Sequence, residues 1–345
     1  FNTSNGGNKS LTLGSSIMNI SEFIDGFNLT LDAGTSHIYA TKGISAYNNH
    51  TFYDVTITGW EATISGNSTF NKVTMNSSDY IRIGGGSNTF NKKVSISAVS
   101  QHLIESSNIF NDTLEFVNPG KTITFSQGTN QTLNGVLITN GDCSSYNTFK
   151  SNSPGNTFSF TKSTGTIDLN YVQLQDANAS GGAVFNANNS IDLGNNSGWS
   201  IIGPVPQTFY WINNGGDWND GSHWSNSSGG SPVNCVPTKF DNVVFDLNSF
   251  NTNNQNVNIN VIANFNNMDW TGVTNNPTLI STGSAWDVVM NIYGSLTFSP
   301  NMNVTYGGWP YFKSTSTGNT ITMAGQSFSS DVYFEEGIGG EWTLQ

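Results

Sequence analysis

Charge is what this chain most lacks. Only 10% of its 345 residues are Asp, Glu, Lys or Arg, against about 25% in an ordinary globular protein. Asn, Ser and Thr must therefore keep its surface wet. Arg82 is the single arginine, and 11 basic residues face 23 acidic ones for a net charge of -12. That balance argues against nucleic acid as a partner, because no basic stripe exists to displace counterions from phosphate. No apolar run of about 18 residues occurs, so no membrane-spanning helix is expected in this segment. Cysteine is scarce as well. Cys143 and Cys235 have no CxxC or zinc-ligand spacing around them; they are either a disulfide candidate or two buried thiols. Disorder usually combines low hydrophobicity with high net charge, and the many β-branched residues here argue against it. No signal-type segment opens the chain at Phe1, so the expectation is a piece of a longer secreted precursor.

What the chain does have is a period. The segments Thr51-Phe52-Tyr53, Thr69-Phe70-Asn71, Thr89-Phe90-Asn91, Ile109-Phe110-Asn111 and Thr132-Leu133-Asn134 follow one another at 18, 20, 20 and 23 residues. Each precedes a strand-like triplet, such as Val73-Thr74-Met75 or Val94-Ser95-Ile96, and follows a Gly/Asn/Ser/Thr cluster. A repeat of this length points to a solenoid. One such rung buries too few apolar side chains to offset the entropy of ordering it, whereas stacked rungs share one core. Phe52, Phe70, Phe90, Phe110 and Leu133 should stack inside the coil. Asn71, Asn91, Asn111 and Asn134 should form an amide ladder or occupy left-handed corners. Phe70 to Val73 is an odd step and Phe90 to Val94 an even one, so a corner between them must absorb a residue. Earlier, Phe27, Leu29 and Leu31 alternate as on a half-buried strand. The expected fold is all-β, a tandem parallel β-helix with rungs of about 20 residues. An array of Ig-like β-sandwiches also fits strands at this spacing.

Residues 140–203 are rich in Gly and turn residues and close on Pro204-Val205-Pro206, which cannot continue a hydrogen-bonded ladder. The stretch 209–246 then gathers Trp211, Trp218, Trp224, Cys235, Pro237 and four aspartates. Short strands resume after it. Asp217, Asn219, Asp220, Asp241 and Asp246 supply oxygen ligands in Gly-rich loops and form a candidate calcium site; the same residues also serve as ordinary turn acceptors. Trp211, Trp218 and Trp224 are expected to plug the open end of a β-array. Trp309, in Gly307-Gly308-Trp309-Pro310, is the leading candidate for an exposed carbohydrate platform, and Trp286 and Trp270 are further candidates for sugar stacking.

Catalysis finds little footing. Glu335 and Glu336 are the only adjacent acids, and neighbours on a strand point to opposite faces. His37, His50, His102 and His223 are scattered, and Ser222 beside His223 is not placed as a nucleophile. The expectation is that the segment is not an enzyme.

The pieces Phe209-Tyr210-Trp211, Gly216-Asp217-Trp218, Ser222-His223-Trp224-Ser225, Cys235-Val236-Pro237-Thr238 and Asp241-Asn242-Val243-Val244-Phe245-Asp246 resemble the unit-opening motif of SprB-like adhesins. These are giant, repeat-bearing surface proteins of gliding bacteria exported by type IX secretion. Ser180-Gly181-Gly182, Asn189-Ser190 and Gly194-Asn195-Asn196-Ser197-Gly198-Trp199 resemble that family's unit end. Together these pieces cover about a fifth of the chain. The resemblance implies that 1–203 is the C-terminal part of one unit, 204–208 a linker and 209–345 the N-terminal part of the next. It also implies a cell-surface filament that takes part in gliding motility and contacts neighbouring units of its own chain and surface polysaccharide. Asp112-Thr113-Leu114 looks like the short O-glycosylation acceptor of such bacteria. The alternative function is a carbohydrate-binding module of a secreted polysaccharide-degrading protein.

Overall fold

A computed structural model describes residues 7–25, 28–284, 286–335 and 339–345. Phe27 and Glu336 lie outside them. The chain is a parallel β-solenoid of about 16 turns, with no α-helix among the described residues. It divides into two compact units, Phe1–Pro204 and Val205–Gln345. Among the described residues the strand pairings are parallel, save for one short antiparallel pair in the second unit; an isolated antiparallel bridge joins Asp142 and Ser145 in the first. Successive parallel rungs replace the sandwich alternative, in which neighbouring strands would run antiparallel.

In the first unit the repeated Phe side chains form one internal column. Phe52 stacks on Phe70 at 5.1 Å, Phe70 on Phe90 at 5.4 Å and Phe90 on Phe110 at 5.0 Å. Leu133 continues the column in register with Phe110. All five are essentially fully buried, and the near-parallel stacking of the four Phe rings follows from identical residues at the strand spacing of about 4.8 Å. The outward Asn residues form the ladder: Asn111 Nδ2 donates to Asn91 Oδ1 at 3.0 Å and Asn134 Nδ2 to Asn111 Oδ1 at 2.7 Å. Asn71 donates instead to Asp54, at 2.8 Å. None of the four adopts a left-handed backbone. The corner lies between strands Thr89–Phe90 and Val94–Ala98, where a bend over 91–93 lets both Phe90 and Val94 face inward. Val94 then meets Val73 in register.

Two residues ahead of each Phe runs a second buried column, and it is polar. His50, Ser68, Asn88, Asn108 and Gln131 are all buried. Asn108 Oδ1 accepts from the Asn88 backbone N–H at 3.2 Å, and Asn108 Nδ2 donates to Gln131 Oε1 at 3.0 Å. His50 Nε2 meets the fully buried carboxylate of Asp25 at 2.6 Å, and Asn48 Nδ2 donates to the same oxygen at 2.9 Å. At Ser68 it is the backbone N–H that donates to Asn88 Oδ1, at 3.1 Å, while the hydroxyl has no partner; the other side chains of the column bond to a neighbouring turn, which offsets the cost of removing them from water.

The 20-residue offset that joins Asn111 to Asn91 widens in the middle turns and returns to 18 or 19 residues at the end of the unit. It reaches 25 residues between Gln127 and Asn152 and 31 between Thr161 and Asn130. Lys162 fills one of the widened corners. Its ammonium donates to the carbonyls of Leu133, Asn134 and Gly135 at 3.3, 3.1 and 2.5 Å. At the last turns of this unit, Trp199 packs edge-on against Phe160 and Phe185, with ring centroids 6.1 and 5.1 Å away.

The second unit is a three-sided coil. One seven-stranded sheet and two four-stranded sheets form its faces, and most turns contribute one strand to each. Its core is separate and aromatic: Trp211, Trp218, Trp224, Trp270, Phe245, Phe265 and Tyr306 are fully buried. Strand Trp224–Ser225 pairs antiparallel with Thr208–Trp211 and covers the edge of the seven-stranded sheet. Trp224 meets Trp211 at 4.9 Å and Trp218 at 4.7 Å, both edge-on. The indole N–H of Trp224 donates to the Trp218 carbonyl at 2.9 Å, and that of Trp211 to the Asn214 carbonyl at 2.5 Å. The indoles thus seal the first turn, while the reversed strand blunts an edge that would otherwise be open to pairing.

Candidate carbohydrate-binding platform

One face of the second unit is built from strands Ala263–Phe265, Met290–Ile292, Pro310–Phe312 and Tyr333–Phe334, paired in parallel. Strand alternation buries Ala263, Phe265, Met290, Ile292 and Phe312. It puts Asn264, Asn291, Tyr311 and Tyr333 on the opposite side, one per turn, although Asn291 is covered there and buried. Asn291 Nδ2 donates to Asn264 Oδ1 at 3.0 Å, which begins the column as an amide ladder. Tyr311 and Tyr333 continue it as a ring stack at 4.6 Å.

Trp309 and Trp286 widen this column into a surface. Trp309 meets Trp286 at 4.3 Å and Tyr333 at 5.7 Å, both edge-on. Trp286 is 74% exposed. The backbone that presents Trp309 requires glycine at position 308, where a Cβ would fall 1.8 Å from the Val288 carbonyl oxygen. That same oxygen accepts the buried Tyr306 hydroxyl at 2.6 Å. Pro310 occupies the first position of its strand, where the missing N–H is tolerated. At the rim, Lys313 Nζ lies 5.3 Å from the Tyr311 ring centre. Partial desolvation, then the nearby Glu335 carboxylate and Tyr333, raise the Tyr311 phenol above its ordinary range. The phenol therefore remains a neutral hydrogen-bond donor at physiological pH. Rings with exposed faces, flanked by amides and a hydroxyl, can stack on sugar CH surfaces and bond their hydroxyls.

Trp270 does not join this surface. It is fully buried and stacks on Phe245 at 3.6 Å. It follows Met268 by two residues, and that even step keeps it on the inward side. Tyr311 and Tyr333 escaped sequence reasoning. Their signal was the repeated pair Tyr311-Phe312 and Tyr333-Phe334, whose outward-inward alternation matches the rung.

The five proposed calcium ligands are not brought together as one set. Asp217 accepts from Asn258 at 2.6 Å and Asn219 from Asn260 at 2.9 Å. Asp220 caps a short turn through the Ser222 N–H at 2.9 Å; the Ser222 hydroxyl and then this N–H hold its carboxyl below the usual range. Asp241, which is buried, takes the Gln207 N–H at 2.8 Å, the Thr238 N–H at 2.8 Å and the Thr238 hydroxyl at 2.6 Å. Asp246 takes the Asn248 N–H at 2.9 Å. Among the described residues no group of three or more His, Cys, Asp or Glu side chains is placed to hold a metal ion. Asp220, Asp241 and Asp246 hold local N–H groups, the usual work of Asp in turns, while Asp217 accepts a side-chain amide 41 residues away in sequence. Saturating calcium, or a chelator, is expected to leave the thermal midpoint unchanged; a calcium-dependent rise of several degrees would overturn this reading.

His223 stacks on Trp211 at 4.8 Å and bonds the Ile212 carbonyl through Nδ1 at 3.0 Å. Gly216 makes room for it, since a Cβ there would fall 2.0 Å from the imidazole. Asp220 lies 3.9 Å from His223 Nε2. His37 bonds the Thr56 hydroxyl at 2.9 Å. Arg82 pairs with Glu105 at 2.5 Å, and the Thr113 hydroxyl donates to Asp112 at 3.1 Å. Neither Cys143 nor Cys235 is a free thiol.

No family model, curated protein or solved structure matches this chain. Its likeness to the gliding adhesins therefore rests on the motif residues alone, of which Trp211, Gly216, Trp218, His223, Trp224 and Asp241 now have structural roles. No described helix is long and apolar enough to cross a membrane.

Proposed function

We propose that this chain is a non-catalytic adhesive segment of a large cell-surface protein, and that its second unit holds polysaccharide against the face formed by Trp286, Trp309, Tyr311 and Tyr333. The observation that carries the reading is the presence of four adjoining aromatic rings on the outer side of a sheet whose inner side packs the core of the unit. Packing gives no reason for rings there, and an exposed aromatic patch is costly unless something covers it. The surface is open and built from successive turns, which suits an extended polymer. The unit-opening motif supplies the setting: a secreted filament segment of the gliding-motility type, flanked by further units of the same protein. A carbohydrate-binding module beside a catalytic domain would use the same platform. The flanking sequence separates the two, because further copies of the 209–246 motif belong only to the filament.

The test is affinity electrophoresis in gels containing neutral polysaccharides, with tryptophan fluorescence as a second readout. The protein should be retarded by at least one neutral glycan. The double variant Trp286→Ala/Trp309→Ala should lose about fivefold to about 150-fold in affinity, as two stacking rings at roughly 0.5–1.5 kcal/mol each imply. Absence of retardation across a broad panel, or full retention by the double variant, would sink the proposal.

A further inference from the structure

The first unit carries a groove of different chemistry. Its floor is the outer side of the parallel strands Thr122–Phe125 and Asn147–Ser151, and the segment Val99 to Gln101 that leads into strand His102–Ile104 closes it. Thr122, Thr124 and Lys150 face into it, with Ser100, Gln101 and Lys121 along one side. The cavity measures about 460 Å³. It draws on residues from three successive turns, so it runs along the stacking direction and is open rather than enclosed.

Two of the chain's 11 basic residues meet here, on a protein of net charge -12. Neither Lys121 nor Lys150 has an acidic partner among the described ion pairs. Lys121 Nζ donates to the Val99 carbonyl at 2.6 Å, which anchors it toward the preceding turn and leaves two of its three N–H donors free. Its charge is felt beneath the sheet, where it adds to the burial that lowers His102. The nearest acid in the bonding pattern, Asp79, is occupied by the Ser100 hydroxyl at 2.5 Å.

The spacing of the two lysines selects the ligand. Thr122 is in register with Thr148, so Lys150 sits one turn beyond Lys121 and three residues further along the strand. That separates their Cα atoms by about 11 Å at ordinary strand dimensions. With Lys121 held toward Val99, the two ammonium groups do not converge on a single phosphate. They suit anions carried on separate residues of one polymer, while Thr122, Thr124, Ser100 and Gln101 offer hydroxyl and amide groups between them.

We propose that this groove binds a linear polysaccharide bearing carboxylate sugars, a polyuronate, with Lys121 and Lys150 each pairing a carboxylate. The inference rests on the adhesive reading for its ligand class but uses a different unit and different residues, so the two stand or fall separately.

The probe is polygalacturonate, set against an uncharged glucan, in titrations of the full chain. The wild type should bind polygalacturonate, more weakly as salt rises from about 50 to about 500 mM. Lys121→Gln/Lys150→Gln should weaken that binding about tenfold or more, with melting behaviour unchanged because both side chains face outward. Trp286→Ala/Trp309→Ala should leave polygalacturonate binding intact, and the lysine variant should leave binding of neutral glycans intact. A charge-matched control, Lys42→Gln/Lys72→Gln, removes two exposed lysines elsewhere and should bind as the wild type does. Equal loss in that control, unchanged binding by the groove variant, no binding at all, or equally tight binding of single-stranded DNA would each overturn the proposal.

Discussion

Replacing Phe90 by alanine is expected to cost the first unit about 3–5 kcal/mol, the upper range for truncating a buried aromatic. Phe90 is fully buried between Phe70 and Phe110, with stacking on both sides. The void left behind cannot close by bringing rungs together, because backbone hydrogen bonds hold them near 4.8 Å apart. The transfer and cavity terms are therefore both lost, along with two ring contacts. Phe90→Leu should cost less than about 1.5 kcal/mol, since Leu133 already fills the same column one turn beyond Phe110. Denaturant unfolding of the two variants checks the pair of values. An alanine variant within about 1 kcal/mol of the wild type would show that the column relaxes and that stacking contributes little.

A second large effect is expected in acid. His102 is 1% exposed and neither ring nitrogen has a hydrogen-bond partner. Ile81 and Ile123 flank it on the neighbouring turns, and Phe116 packs edge-on at 6.0 Å. Burial, then the Lys121 charge, lowers it from 6.5 to about 4. The unfolded chain therefore binds a proton that the folded one refuses. Stability is fully present above pH 6.5, falls as the pH drops toward about 4, and loses on the order of 3 kcal/mol over that window. His102→Phe removes the titrating group and should flatten the same window. Melting midpoints of both proteins at pH 7.5 and 4 check this, because carboxylates that titrate on acidification act in both and cancel in the comparison. An identical acid loss in the two proteins would show that His102 does not titrate as its surroundings require.

The legibility of the fold varied with how strictly its repeat was kept. Phe52, Phe70, Phe90 and Phe110 could be read as one column because the same residue recurs at nearly the same interval, and the Asn ladder followed from the position directly after it. The buried polar column two residues earlier was hidden, since its members change from His50 to Ser68, Asn88, Asn108 and Gln131 while keeping the same place. Packing selects that position for hydrogen-bonding reach, and several side chains satisfy it. In the second unit, partners lie 25 residues apart at Asn267 and Asn242, 28 at Ser295 and Asn267 and 41 at Asn258 and Asp217. Corners of unequal length erase the period even though strands still stack turn on turn.

The chain's low charge, its short alternating strands and the recurrence of Phe determine a stacked, parallel, aromatic-cored β-coil. These are local properties: each rung carries its own pattern, and only stacking lets it bury that pattern. The tertiary structure alone decides which tryptophan is core and which is surface. Trp270 and Trp309 look alike in sequence, yet one falls on the inward side of its strand and the other stands out beside Trp286, because corner lengths set the phase of each strand. It likewise decides that Asp217, Asp220, Asp241 and Asp246 each serve their own hydrogen bonds rather than a shared ion. Distances across turns depend on how many residues every corner absorbs, and that is settled only when the whole coil is wound.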